Sequence, residues 1–133
     1  MLTGCGHTVP VHLPELADST ECQALVDRWP AEVSDLLPRD VSPASPAARA
    51  WGDPAVVAVC GQPALTPTTA ACLTVDDIDW VIEPVADGTR FTTYGRTPAL
   101  EVYVPETYAP EPLLLPAFGP AAGALPPNGR QCL

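Results

Sequence analysis

The chain contains no lysine, one asparagine and one methionine, and its six basic residues, all arginine, face 16 acidic ones for a formal net charge of −10. So little positive charge excludes a nucleic-acid partner, because phosphate binding needs a clustered basic patch. No apolar run reaches the ~18 residues that a membrane-spanning helix requires. There is no Cys-x-x-Cys pair and no histidine in ligand spacing, which argues against zinc, and no glycine-rich phosphate loop. The two histidines, His7 and His12, both fall near the N-terminus and complete no Ser-His-Asp or Cys-His set; a solvated linker is the better reading of them than a copper site. No metal and no cofactor is expected.

Proline is in surplus, 18 of 133 residues, against a usual share of ~5%. Interior prolines break helices, so coiled coils and long-helix bundles are excluded. Apolar residues still make up 47% of the chain, enough for a packed core, and the length fits one domain.

The cysteines point to a compartment. Leu2-Thr3-Gly4-Cys5 has the form of a bacterial lipobox, and Gly6 to Pro14 reads as a polar tether behind a lipidated Cys5. No basic or apolar signal region precedes Leu2 in this sequence. Cys22, Cys60, Cys72 and Cys132 remain, an even set that allows three connectivities. Spacing favours a local Cys60–Cys72 bridge and a long-range Cys22–Cys132 bridge, and oxidised cysteines imply an extracytoplasmic location. Residues 1–17 are therefore expected as lipobox and flexible tether, and 18–133 as one domain.

Asp18 to Glu21 has capping-box spacing, and Cys22, Leu25, Val26 and Trp29 follow as one helical face that Pro30 ends. Ser45-Pro46 predicts a short helix from Pro46 to Trp51, stopped by Gly52. Ala55 to Cys60 is a buried strand by length and composition. Cys72 to Val75, an Asp76-Asp77 turn and Ile78 to Glu83 read as a hairpin; Arg90 to Tyr94 and Leu100 to Val104 follow as strands. Leu113 to Leu125 predicts a broken helix. The fold class is α+β: an antiparallel sheet of four to five strands, an N-terminal helix, a C-terminal helical segment and two disulfides, with Trp29, Trp51 and Trp80 as core or semi-buried anchors.

Several segments resemble an actinobacterial family, the domain of unknown function 3515. They are Ala50-Trp51-Gly52-Asp53-Pro54 running into Cys60-Gly61, Asp79-Trp80, the block from Arg90 to Ala99 with Glu101 and Val102, and the end from Pro126 to Cys132. Phe91-Thr92-Thr93-Tyr94-Gly95-Arg96 is the most specific of these, and the resemblance runs from about Cys22 to Cys132. It implies a small exported protein held at the membrane by a lipidated cysteine or an N-terminal span, and it brings no catalytic residue.

Three constellations bear on chemistry. Asp76, Asp77 and Asp79 are dense enough for Ca²⁺, but EF-hand spacing fails and a turn explains them better. Asp79, Glu83 and Glu101 share the outer sheet face, either as paired hydrolytic carboxylates or, the preferred reading, as cross-strand partners of Arg90 or Arg96. Arg90, Thr92, Tyr94 and Arg96 form the best ligand-site candidate, because guanidinium forks and hydroxyls suit carboxylate or phosphate. The expected function is a non-enzymatic, lipid-anchored extracytoplasmic module that contacts cell-envelope components and the membrane. A receptor for a small polar or anionic ligand is the alternative, and a carboxylate-dependent hydrolase comes last.

Overall fold

The computed structural model describes residues 7–132. Cys5 and its lipobox lie outside them.

The centre of the fold is a seven-stranded sheet in the order β2-β4-β5-β9-β8-β7-β6, antiparallel at every pairing. Its strands are β2 (Pro38–Arg39), β4 (Ala48–Trp51), β5 (Val56–Gln62), β6 (Cys72–Val75), β7 (Ile78–Val85), β8 (Gly88–Tyr94) and β9 (Ala99–Pro105). The last four form a meander whose alternation is plain in the residues. Phe91 and Thr93 of β8 point inward and are fully buried, as are Leu100, Val102 and Val104 of β9. Arg90, Thr92, Tyr94, Glu101 and Tyr103 take the opposite, half-buried face. At the β6–β7 turn both Asp76 and Asp77 have positive φ, 51° and 69°, as a two-residue hairpin turn of the mirror-image type demands.

Helical segments cover the inner face. Ser19, one residue past the expected cap, accepts from the Cys22 amide at 3.2 Å and starts α1 (Thr20–Ala24). The stripe continues only as a 3₁₀ turn over Val26–Arg28, because Pro30 forces Trp29 into extended backbone. At the other end a 3₁₀ segment, Glu111–Phe118, leads into α2 (Gly119–Gly123). Leu115, Phe118, Ala121, Ala122 and Leu125 from this layer meet Trp51, Trp80, Phe91, Leu100 and Val102 from the sheet in one core. The only buried polar side chain among the described residues, Thr93, accepts from the Leu100 amide at 2.9 Å through Oγ1.

Four expectations need correction. The sheet has seven strands where four to five were expected. Pro46 to Trp51 is no helix: its last four residues are β4, paired with β2 and β5. Ser45 does cap, but it caps a turn, since its Oγ accepts from the Ala47 amide at 3.1 Å and its carbonyl from Ala48 at 3.2 Å. The third correction concerns residues 7–17, read as a tether, which lie against the domain. β1 (Val9–Pro10) pairs in parallel with β3 (Val41–Ser42), the Leu16 amide donates to the Gly61 carbonyl, and Ala17 is buried.

The fourth is the disulfide pairing, which is Cys22–Cys60 and Cys72–Cys132, with Cα separations of 5.7 and 5.8 Å; the expected Cys60–Cys72 and Cys22–Cys132 bridges do not form. Cys60 lies on β5 near the sheet centre and Cys72 on the far edge strand β6, four places away. At 4.7–4.9 Å per strand that is roughly 19 Å, beyond the ~7 Å Cα limit of a disulfide. The chain from β5 to β6 crosses over three strands, so nearness in sequence misleads here. The inward direction expected for Cys22 holds, and it meets Cys60 inside the core, both fully buried.

Candidate functional site

The four residues proposed as a ligand site divide into two groups. Arg90 and Thr92 stay on the outer sheet face. Arg90 lies 3.0 Å from Glu83 Oε1 on β7 and 3.6 Å from Glu101 Oε2 on β9, its neighbours on both sides. Cross-strand pairing of opposite charges is thus the role this arginine has, and it sits between the two carboxylates that a hydrolase would need free.

Glu101 is the most enclosed member of this group, its side chain 24% exposed, and Gln62 Nε2 donates to it at 3.0 Å. Burial raises its pKa above the usual 4.5; Arg90 opposes the shift, Glu83 adds to it, and the Gln62 hydrogen bond lowers it. A carboxyl with a raised folded pKa binds its proton more tightly in the native state than in the unfolded chain, so stability falls as pH rises from 4.5 through the raised value. Glu101→Gln is expected to flatten that fall and to leave the melting temperature at neutral pH unchanged or higher. Thermal melts of both proteins across the acid-to-neutral range check this; a steeper fall in the variant would contradict it.

Tyr94 and Arg96 belong to a different place, the sheet end where β8 turns into β9. There they line a groove of about 410 Å³ together with Thr74, Asp79 and Arg130. The C-terminal tail forms one wall. Gly95 makes this possible: it has φ +95°, and a Cβ there would collide with the Arg130 carbonyl. The Asn128 amide donates to the Gly95 carbonyl at 2.9 Å, and Arg96 Nη1 donates to the Leu125 carbonyl at 2.7 Å. Asp79 completes the clamp, with Oδ2 accepting from the Cys132 amide at 2.7 Å and Oδ1 from Thr74 Oγ1 at 2.6 Å. Its carboxylate therefore holds the tail, while Asp76 and Asp77 form the adjoining turn. A second hollow of about 660 Å³, which shares Tyr94 and Arg130 with the first, is lined also by Thr68 and Cys72. Among the described residues, neither Arg96 nor Arg130 makes an ion pair.

Arg130 is the member that sequence reasoning missed. It lies 34 positions after Arg96, and only the correct Cys72–Cys132 pairing signals that the tail returns to this sheet end.

A seven-stranded antiparallel sheet roofed by short helices, braced by two disulfides and open in a polar groove at one end, defines a small α+β domain. The chain belongs to the family described as protein of unknown function (DUF3515), which it matches over residues 5–117, more than four fifths of its length. The match begins before Cys22 and stops short of Pro126 to Cys132, so the terminal segment included in the resemblance is outside it. No curated protein and no solved structure matches the chain.

Proposed function

We propose that this domain is a non-enzymatic extracytoplasmic module of the cell envelope, anchored by a lipid on Cys5 and acting through contacts with envelope components. The observation that supports the reading is the state of the cysteines: the four after Cys5 form two disulfides that brace the fold. Such a framework in a small domain suits an oxidising compartment. It leaves Cys5, behind Leu2-Thr3-Gly4, as the one cysteine outside the bridges and available for acylation. The net charge of −10 favours basic or neutral partner surfaces over anionic lipid headgroups, which makes the lipid the membrane attachment and the domain the part that faces proteins.

Mass spectrometry on protein recovered from its native cells tests this. The expected result is a diacylglycerol-modified Cys5 in the membrane fraction, with the remaining cysteines blocked to alkylation until reduced. Unmodified Cys5 in cytosolic protein, or free thiols at the other four positions, would overturn it.

A second reading has its own observation. The groove between β8 and the tail presents Tyr94, Arg96 and Arg130 together, and an arginine without a carboxylate partner suits a small polar or anionic ligand. On this reading the module is a receptor, with Arg130 in the place that Arg90 was expected to fill.

A further inference from the structure

We infer that a second cavity, at the opposite edge of the sheet, binds a small carboxylate with an apolar body. It has a volume of about 790 Å³, within the ~300–1,000 Å³ typical of small-molecule sites. Two of the six arginines of the chain line it, Arg39 from β2 and Arg49 from β4. They are held differently. Arg39 is committed through both terminal nitrogens: Nη1 donates to the Gly52 carbonyl at 2.9 Å and lies 3.8 Å from Asp53 Oδ1, while Nη2 donates to the His7 carbonyl at 3.1 Å. Arg49 is held through Nη1 alone, which reaches the carbonyls of Ser45, Pro46 and Ala48 at 3.3, 3.4 and 3.0 Å.

Among the described residues Arg49 has no carboxylate within ion-pair distance, in a chain with 16 acidic residues. Backbone carbonyls orient its guanidinium without neutralising it, and its Nε and Nη2 have no hydrogen-bond partner among those residues. A fixed fork with one edge unused is the geometry that receives a carboxylate through two parallel hydrogen bonds.

The rest of the wall narrows the ligand class. Pro38, Val41 and Pro46 give the cavity apolar surface for a hydrocarbon body, and Thr8 and Ser45 bring hydroxyl-bearing residues to its lining. Asp40 lines the same cavity, and it repels a multiply charged anion more strongly than a singly charged one. A monocarboxylate therefore fits better than a phosphate. The site is independent of the Tyr94 groove and of the anchoring reading.

The test is a two-dimensional amide NMR titration of the oxidised protein with hexanoate, hexanamide and inorganic phosphate at matched ionic strength. Hexanoate is expected to give saturable shifts at Val41, Ala44, Ala48 and Arg49, with hexanamide and phosphate each at least about fivefold weaker. Arg49→Gln should abolish the hexanoate response, Arg49→Lys should weaken it by about fivefold because a point charge cannot replace the fork, and Arg28→Gln should leave it intact. Equal responses to hexanoate and hexanamide in the unmutated protein would overturn carboxylate recognition, a result that stands even if the Arg49 variants fail to fold. Tighter phosphate binding would overturn the monocarboxylate assignment, and shifts confined to Tyr94, Arg96 and Arg130 would place carboxylate binding in the other groove.

Discussion

Replacing Cys22 and Cys60 together by alanine is expected to lower the unfolding free energy by about 4 kcal/mol, the chain-entropy value for a bridge spanning 38 residues. That is a large share of the ~5–15 kcal/mol that holds a typical domain together, and for a chain of this size it corresponds to a fall in melting temperature of about 15 °C. Chain entropy alone predicts a slightly larger loss for Cys72–Cys132, whose ends are 60 residues apart. The structure reverses the order. Cys22–Cys60 joins the helical layer to a central strand and both residues are fully buried, so its removal also leaves poorly filled space in the core. Cys72–Cys132 ties a tail to an edge strand, and without it the native tail frays and regains entropy that offsets part of the loss. Urea denaturation followed by tryptophan fluorescence should therefore rank C22A/C60A well below C72A/C132A. The opposite ranking would mean that the tail carries more of the fold than its place at the edge suggests.

The meander β6 to β9 was legible from its residues because each strand alternates apolar and polar positions and each turn carries residues suited to positive φ, such as Asp76, Asp77 and Gly95. β4 was not legible. Its Ala-rich sequence has no period of its own, Ala48, Ala50 and Trp51 all being buried, and a true Ser45 cap preceded it. Periodicity cannot separate a short buried strand from a short buried helix. The disulfide pairing was hidden for a different reason: it depends on the crossover from β5 to β6, which no local pattern encodes. The candidate site was half legible on the same ground. Tyr94 and Arg96 sit in a distinctive block, whereas Arg130 and the Arg39–Arg49 cavity are assembled from segments far apart in the chain or at its edge strands.

Trp51→Ala is expected to have an effect as large as losing the core disulfide, about 3–5 kcal/mol from the missing ring and roughly another 1 kcal/mol from an abandoned acceptor. The ring is 1% exposed and joins three parts of the fold. It meets Phe118 of the C-terminal layer edge-on, with centroids 5.4 Å apart and planes at 75°. It also lies 6.3 Å from Trp29, the residue that ends the N-terminal helical stripe. Its Nε1 donates to the Pro30 carbonyl at 3.3 Å. Trp51→Phe keeps an aromatic surface against Phe118 and loses the donor, so it should cost well under half as much. A double-mutant cycle with Phe118→Ala isolates the ring contact, expected at about 0.5–1.5 kcal/mol. A coupling near zero would mean that Trp51 acts by filling volume alone. The adjacent Gly52 carbonyl accepts from Arg39 Nη1 at 2.9 Å, so the strand end that carries Trp51 also holds an arginine of the Arg39–Arg49 cavity. Trp51→Phe, folded but with its strand less firmly seated, should therefore weaken hexanoate binding while the shifts it causes stay on Ala48 and Arg49.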